Sequence, residues 1–259
     1  MKNKFKLFLN NLRRFVEIPF CASCQTRLSP ISQSYVCFCN DCTAKWYMAK
    51  SKMCPKCSET AEKCVCTPKF FKKHQDYIPS LIFYSSKSGN VPSNTLLTLK
   101  YRKNGELFKF LAFELAPKIK TVLSERNISP KDCIITWMPR QKKNILKFGF
   151  DHSEKLVRCL AKELGAQPLP MFRRKSGIEQ KKLDTEQRRQ NAEDSVILRK
   201  SSKFGGKRVI IKEVTTGKNV IIIDDIITTG ATLRRGVLLA LPLKPKSIIC
   251  ATVAKNMQN

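Results

Sequence analysis

The stretch VIIIDDIITTGATL, Val220 to Leu233, decides the fold. Val220 to Ile223 are apolar at every position, so they cannot alternate between a wet and a dry face. They predict a central strand covered on both sides, as in parallel sheets. Thr228, Thr229, Gly230, Ala231 and Thr232 then form a small, hydroxylated turn that opens the next helix. In such sheets ligands sit beyond the carboxyl ends of the strands. Asp224 and Asp225 are therefore expected at the end of the strand, facing that crevice.

Backbone amides at a helix start have no intrahelical partner, and the helix dipole adds partial positive charge, so a phosphate is stabilised there. The threonine hydroxyls would donate further bonds, and Gly230 would let the main chain approach closely. Two carboxylates would repel a phosphate sharing their pocket. They are expected instead to accept bonds from neutral hydroxyls, and the vicinal diol of a sugar offers two adjacent donors. The implied ligand is a ribose bearing a 5′-phosphate.

Outward from this stretch, strands alternate with helices. IPSLIFYSS from Ile78 reads as a strand, and NTLLTLKYRKNGELFKFLAFELAPKIKTVL spaces Leu and Phe as helices interrupted near Asn104 and Gly105. CIITWMP is a short, buried type of strand ended by Pro139. DHSEKLVRCLAKELG places Leu156, Leu160 and Leu164 at four-residue intervals with Gly165 as a stop, which predicts a helix. FRRKSGIEQKKLDTEQRRQNAEDSV is charged and poor in apolar anchors. KRVIIKEV predicts a strand paired with its neighbour around TTGK, followed by NVIIIDD, a helix over TLRRGVLLAL and a last strand, SIICATVA. The pattern predicts an α/β fold, a mostly parallel sheet flanked by helices.

The cysteines mark a second, smaller module. Nine of the twelve fall between Cys21 and Cys66, which puts a boundary near residue 70. The pairs are Cys21 with Cys24, Cys39 with Cys42, Cys54 with Cys57, and Cys64 with Cys66. Zinc takes four soft donors at tetrahedral positions, and a Cys-x-x-Cys turn presents two sulfurs on one side of a loop. The simplest grouping takes neighbours in order, Cys21, Cys24, Cys39 and Cys42 around one ion and Cys54, Cys57, Cys64 and Cys66 around another. Interleaved pairing and substitution by Cys37 stay open. So short a segment has little apolar area to bury, and each structural zinc would supply folding free energy on the order of 10 kcal/mol. Four thiolates leave no open coordination position, so the zinc is read as structural.

The 259 residues carry 49 Lys and Arg against 20 Asp and Glu, a formal net charge of +29. Two zinc–tetrathiolate sites, each of net charge −2, would bring this to roughly +25. The excess attracts polyanions and phosphorylated metabolites, as a lysine-rich composition does without any nucleic-acid role. No stretch reaches the roughly 18 uninterrupted apolar residues of a membrane span. The basic start, MKNKFKLFLNNLRRF, is read as a leader helix, and a cytoplasmic protein is expected.

VIIIDDIITTGAT resembles the phosphoribosyl pyrophosphate signature of type I phosphoribosyltransferases. With a cysteine-rich, double zinc-ribbon head before it, the chain resembles the ComF (ComFC-like) competence proteins. LTLKY resembles that family's Leu-Lys-Tyr segment, which implies Lys100 near the ligand. GFDHSEKLVRCLA resembles its Arg-Gly-Phe-Asn helix start, and QKKLDTEQRRQN keeps the family spacing of Gln180, Leu183, Arg188 and Asn191. Two departures touch the region expected to hold pyrophosphate. ITWMPR keeps only Pro139 of the usual two prolines, and Phe148 stands where an arginine usually precedes Gly149. Arg140, Lys142 and Lys143 become the nearest cationic candidates there.

The resemblance implies residues 1–76 as a leader and double zinc-ribbon module and residues 77–259 as a phosphoribosyltransferase-like domain. It implies an enzyme that transfers a phosphoribosyl group, with Mg²⁺ bridging pyrophosphate and ribose and Asp224 or Asp225 stabilising positive charge on the sugar. The charged segment from Phe172 to Asn191 reads either as a mobile hood over that site, Arg188 or Arg189 meeting phosphate, or as a plain solvated loop. It also implies a role in natural transformation, handling single-stranded DNA with a competence helicase. A catalytically inactive adaptor for single-stranded DNA is the alternative. Neither His74 nor His152 has a partner visible in the sequence, so histidine chemistry is not expected.

Overall fold

The computed structural model describes residues 20–28, 37–75, 77–85, 89–175 and 195–256. The expected leader helix and most of the charged segment, with Gln180, Leu183, Arg188, Arg189 and Asn191, lie outside them. The cysteine-rich region contributes α1 (Asn40–Lys50) and one short turn, α2 (Lys69–Lys72). Strand β1 (Ser80–Tyr84) leads into α3 (Val91–Tyr101) and α4 (Gly105–Glu125). The break between these helices falls where expected, because the Asn104 side chain accepts a bond from Leu107 N and restarts the chain as a capped helix. Then come β2 (Cys133–Trp137), α5 (Lys142–Phe148), α6 (His152–Leu164) and β3 (Gln167–Pro168).

Two short antiparallel pairs follow. They are β4 (Phe172–Arg174) with β5 (Val196–Leu198), and β6 (Ser201–Phe204) with β7 (Lys207–Ile210). Here the structure departs from the sequence reading of KRVIIKEV. The strand stops at Ile210, helix α7 (Ile211–Thr215) replaces its second half, and its partner is β6. The turn decides this: Gly205 and Gly206 both take positive φ, 55° and 82°, the geometry that matches the twist of a tight hairpin. The chain ends with β8 (Asn219–Ile227), α8 (Ala231–Ala240) and β9 (Ser247–Asn256).

The main sheet has the order β1-β9-β8-β2-β3, all parallel. From β2 the chain moves outward to β3, whereas from β8 it moves the opposite way to β9. The strand order therefore reverses between β2 and β8, and a crevice opens at their carboxyl ends. Strand β8 is buried on both faces. Ile221 and Ile223 face a cluster with α4 and α6, while Val220 and Ile222 face one with Phe71 and α8. The strand also runs further than expected, because Asp224, Ile226 and Ile227 stay paired with Thr252, Ala254 and Lys255 of β9. The acids lie within the last turn-facing residues of a strand that ends three residues beyond them at most, and the loop starts at Thr228.

The first cysteine group is packed into the same apolar cluster as α4 and β1. Trp46 of α1 is fully buried and meets Phe38 at 5.5 Å and Phe110 of α4 at 5.7 Å between ring centroids. An ion pair from Lys50 of α1 to Glu114 of α4 joins the same two helices, and one from Lys118 of α4 to Glu62 ties in the second cysteine group. Trp46→Ala is expected to lower the unfolding free energy by about 3–5 kcal/mol. Urea denaturation followed by Trp137 fluorescence and circular dichroism should show one coincident transition. A loss under about 1 kcal/mol would mean that the region is held loosely.

Candidate functional site

The crevice between β2 and β8 gathers residues from four parts of the chain. One wall is a cleft lined by Asp224 and residues 226–233. Gly230 caps α8 with φ of 75°, a left-handed conformation that a side chain would strain. Thr228 and Thr229 are exposed, and Ala231 and Thr232 are half-buried in the first turn of the helix. The amides of that turn are the ones a helix leaves unpaired, so the cleft presents donors and partial positive charge.

The two acids divide in role. Asp224 lines the cleft, and its Oδ1 accepts a bond from Asp225 N at 2.9 Å. The Asp225 carboxylate turns to the other side, where Oδ2 meets Lys100 Nζ at 3.1 Å and His152 Nε2 at 3.0 Å. Only 13% of its side chain is exposed. Burial disfavours charge on Asp225, but the His152 bond and the Lys100 ammonium outweigh it and hold this carboxyl well below the usual range. An ionised carboxylate only accepts, so His152 Nε2 donates. Its Nδ1 is buried with no hydrogen-bond partner among the described residues. Asp224 moves the opposite way: burial and the neighbouring Asp225 charge raise it well above 3.8.

The second wall comes from the loop after β2. Met138 N bonds Ile223 O at 3.0 Å, which ties this loop to β8. Asp151 caps α6 by accepting from Ser153 N and Glu154 N, and its Oδ2 also accepts Arg140 N at 3.1 Å. The Arg140 guanidinium lies 4.7 Å from the Phe148 ring centroid, 5.6 Å from Phe150 and 5.8 Å from Tyr101, with 8% of the residue exposed. It is packed among three rings, whereas Lys142 and Lys143 are exposed at the start of α5. Phe148, where the resemblance expects an arginine, is thus one face of the box around Arg140. Arg174 bonds Pro139 O through Nε at 2.9 Å and Ser195 Oγ through Nη1 at 2.8 Å, linking β4 to the same loop.

The sequence reading did not foresee His152, Asp151 or Arg174 here. An acid and a histidine at a helix start look like an ordinary cap, and only the packing of α6 beside β8, with the helix start at the carboxyl end of the strand, brings His152 to Asp225. Lys100, which the Leu-Lys-Tyr resemblance implied near a ligand, sits on Asp225.

In the cysteine-rich region, the sulfurs of Cys21, Cys24, Cys39 and Cys42 lie within 4.8 Å of one another, as do those of Cys54, Cys57, Cys64 and Cys66. The separations Cys24–Cys39 (3.6 Å), Cys54–Cys66 (3.8 Å) and Cys57–Cys64 (3.7 Å) fit the edge of about 3.8 Å for a tetrahedron with zinc–sulfur bonds near 2.3 Å. These two groups of four thiols could each hold a zinc ion, and the grouping is the in-order one. Cys37 is buried beside the first group, outside it, with its thiol pushed up by burial.

Residues 152–259 match the family model described as the phosphoribosyl transferase domain. Solved structures similar to the chain include the glutamine phosphoribosylpyrophosphate amidotransferase of B. subtilis, at 15% identity and TM-score 0.35 over 61% of this chain and 30% of that one. A hypoxanthine phosphoribosyltransferase of Staphylococcus aureus shares 15% identity at TM-score 0.33, over 62% of this chain and 72% of that one. An adenine phosphoribosyltransferase of Saccharomyces cerevisiae shares 22% at TM-score 0.30, over 59% and 70%. The chain spans less than a third of the amidotransferase. No curated protein matches the sequence. The class is clear: a phosphoribosyltransferase-like α/β fold, with a phosphoribosyl transferase domain over residues 152–259 and two four-cysteine clusters ahead of it. Among the described residues no helix is long and apolar enough to cross a membrane.

The raised Asp224 carboxyl has a consequence for stability. The folded state binds its proton more tightly than the unfolded chain, so stability falls as pH climbs from the unfolded range near 3.8 towards the folded value. Asn cannot ionise and escapes that loss. Asp224→Asn is therefore expected to match the parent protein below the unfolded range near 3.8 and to exceed it once pH rises above that range, measured by urea denaturation at each pH. A constant offset across the range would contradict this.

Proposed function

We propose that the protein binds phosphoribosyl pyrophosphate, or a ribose 5-phosphate group, in the cleft after β8 and transfers the phosphoribosyl group to an acceptor. One observation carries the reading. Asp224 and the Thr228–Thr232 helix start line a single cleft, at the point where the strand order reverses. The 5′-phosphate would rest on the loop amides and threonine hydroxyls, and Asp224 would accept the ribose hydroxyls. Asp225, kept ionised by His152 and Lys100, would place fixed negative charge behind a sugar that becomes positive as pyrophosphate departs. Lys100 and Arg140 would supply positive charge towards the departing group, with Arg174 as a further cation acting on Asp224.

The donor set also fits a hard dication carried in by the substrate, because Asp224 offers a carboxylate oxygen and the remaining ligands would be phosphate and water. Mg²⁺ bound there would neutralise charge on the leaving pyrophosphate. In the cysteine-rich region the reading places two structural zinc ions, and with them the ComF-like organisation of residues 1–76 and 77–259. Handling of DNA and a part in competence rest on the resemblance alone.

Titration calorimetry with phosphoribosyl pyrophosphate and Mg²⁺ is the direct test. Asp224→Asn should weaken binding by about 10- to 100-fold, the loss of one or two bonds to a charged acceptor. Pyrophosphate release across a panel of nucleobases would then define the acceptor. No binding by the parent protein would reject the reading. Metal analysis should give two zinc ions per chain, and one after Cys42→Ser. Two retained after that change would exclude Cys42 as a ligand.

A further inference from the structure

The second four-cysteine cluster touches the phosphate loop through the residues that follow it. Pro68 and Phe71 lie two and five residues past Cys66, and Phe71 is buried under the loop. A methyl group built on Gly230 would stand 2.7 Å from Phe71 Cε2 and 3.1 Å from Pro68 Cγ. The close approach that glycine permits here is thus to Phe71, on the side away from the cleft. Phe70 packs edge-on against Phe71, and the guanidinium of Arg234, whose amide closes the first turn of α8 onto Gly230 O, lies 5.4 Å from the Phe70 ring. A second tether reaches the other flank of the loop. Lys255, buried in β9 and paired with Ile227 at the end of β8, donates from Nζ to Cys64 O at 2.9 Å.

The cluster has almost no apolar packing of its own. Its buried group is Cys54, Ala61 and Cys64, with Phe83 lent by β1. Burial of that size cannot hold a dozen residues in one conformation against their chain entropy. The four thiols, whose spacing fits zinc, are the means of fixing them.

We propose that metal held by Cys54, Cys57, Cys64 and Cys66 braces the phosphate loop through Phe71, so that its occupancy sets the affinity for a ribose phosphate. The affinity part rests on the proposed function; the ordering of the loop does not. Phe71 acts in this as a positioning residue.

Hydrogen exchange at residues 228–232 reads the brace without any ligand. Cys66→Ser, which should lose one zinc per chain, is expected to speed exchange of these amides at least tenfold, and Phe71→Leu to do so with both zinc ions retained. Leu111→Ala, which weakens the opposite core cluster, should leave them at the parent rate under native conditions. Phosphoribosyl pyrophosphate should bind at least tenfold more weakly to the first two variants. Gly230→Ala should be partly rescued by Phe71→Leu, because the smaller side chain makes room for the methyl group. Unchanged loop exchange in both Cys66→Ser and Phe71→Leu, or equal loosening by Leu111→Ala, would overturn the brace. If the parent protein binds no phosphoribosyl pyrophosphate while exchange responds as described, the functional reading fails and the brace stands.

Discussion

Strand β8 has no residue between Val220 and Ile223 that can face water, and the rest of the structure follows from covering it. One face requires α4 and α6; the other requires α8 and Phe71. A strand flanked in this way must be central and parallel. Its carboxyl end then coincides with the point where the connections diverge, towards β3 on one side and β9 on the other. The cleft is a consequence of this topology, since neither loop can cross the gap between two strands whose helices leave in opposite directions.

Two adjacent aspartates at that end cannot both be charged at low cost. The fold separates them by surrounding one with cations and leaving the other against the cleft. Lys100 arrives from α3 and His152 from α6, and both converge on a single oxygen of Asp225. The charge they stabilise is what raises Asp224 further. This is a common way of giving two identical groups different protonation behaviour, and it makes the pair asymmetric before any ligand is present.

The cysteine-rich region is attached in two different ways. Around Trp46 it shares a large apolar cluster with α4, so its first four thiols stand on the main core. Around Cys54 to Cys66 the packing is slight, and contact with the rest runs through Phe83 of β1, Lys255, the ion pair to Lys118 and the following residues up to Phe71. The same chain thus holds one cysteine cluster by burial and the other by a few specific links. The second cluster is the one that borders the loop.

The sequence by itself determined the parallel α/β fold, the central strand, the position of the helices around Leu156 and Leu233, and the cysteine-rich head, though not how its cysteines group. These depend on periodicity and on contacts between near neighbours, which a linear pattern records. It misread KRVIIKEV, because an apolar alternation cannot reveal that two glycines will close a hairpin before it and turn its second half into a helix. It also missed the differing environments of Asp224 and Asp225. Only the tertiary structure decided those, because His152 and Asp225 are 73 positions apart and a hydrogen bond between them exists only once α6 has packed beside β8. The role of Gly230 shifted for the same reason: a close approach of the main chain was legible, but the ring of Phe71 that it approaches is supplied by a distant part of the chain.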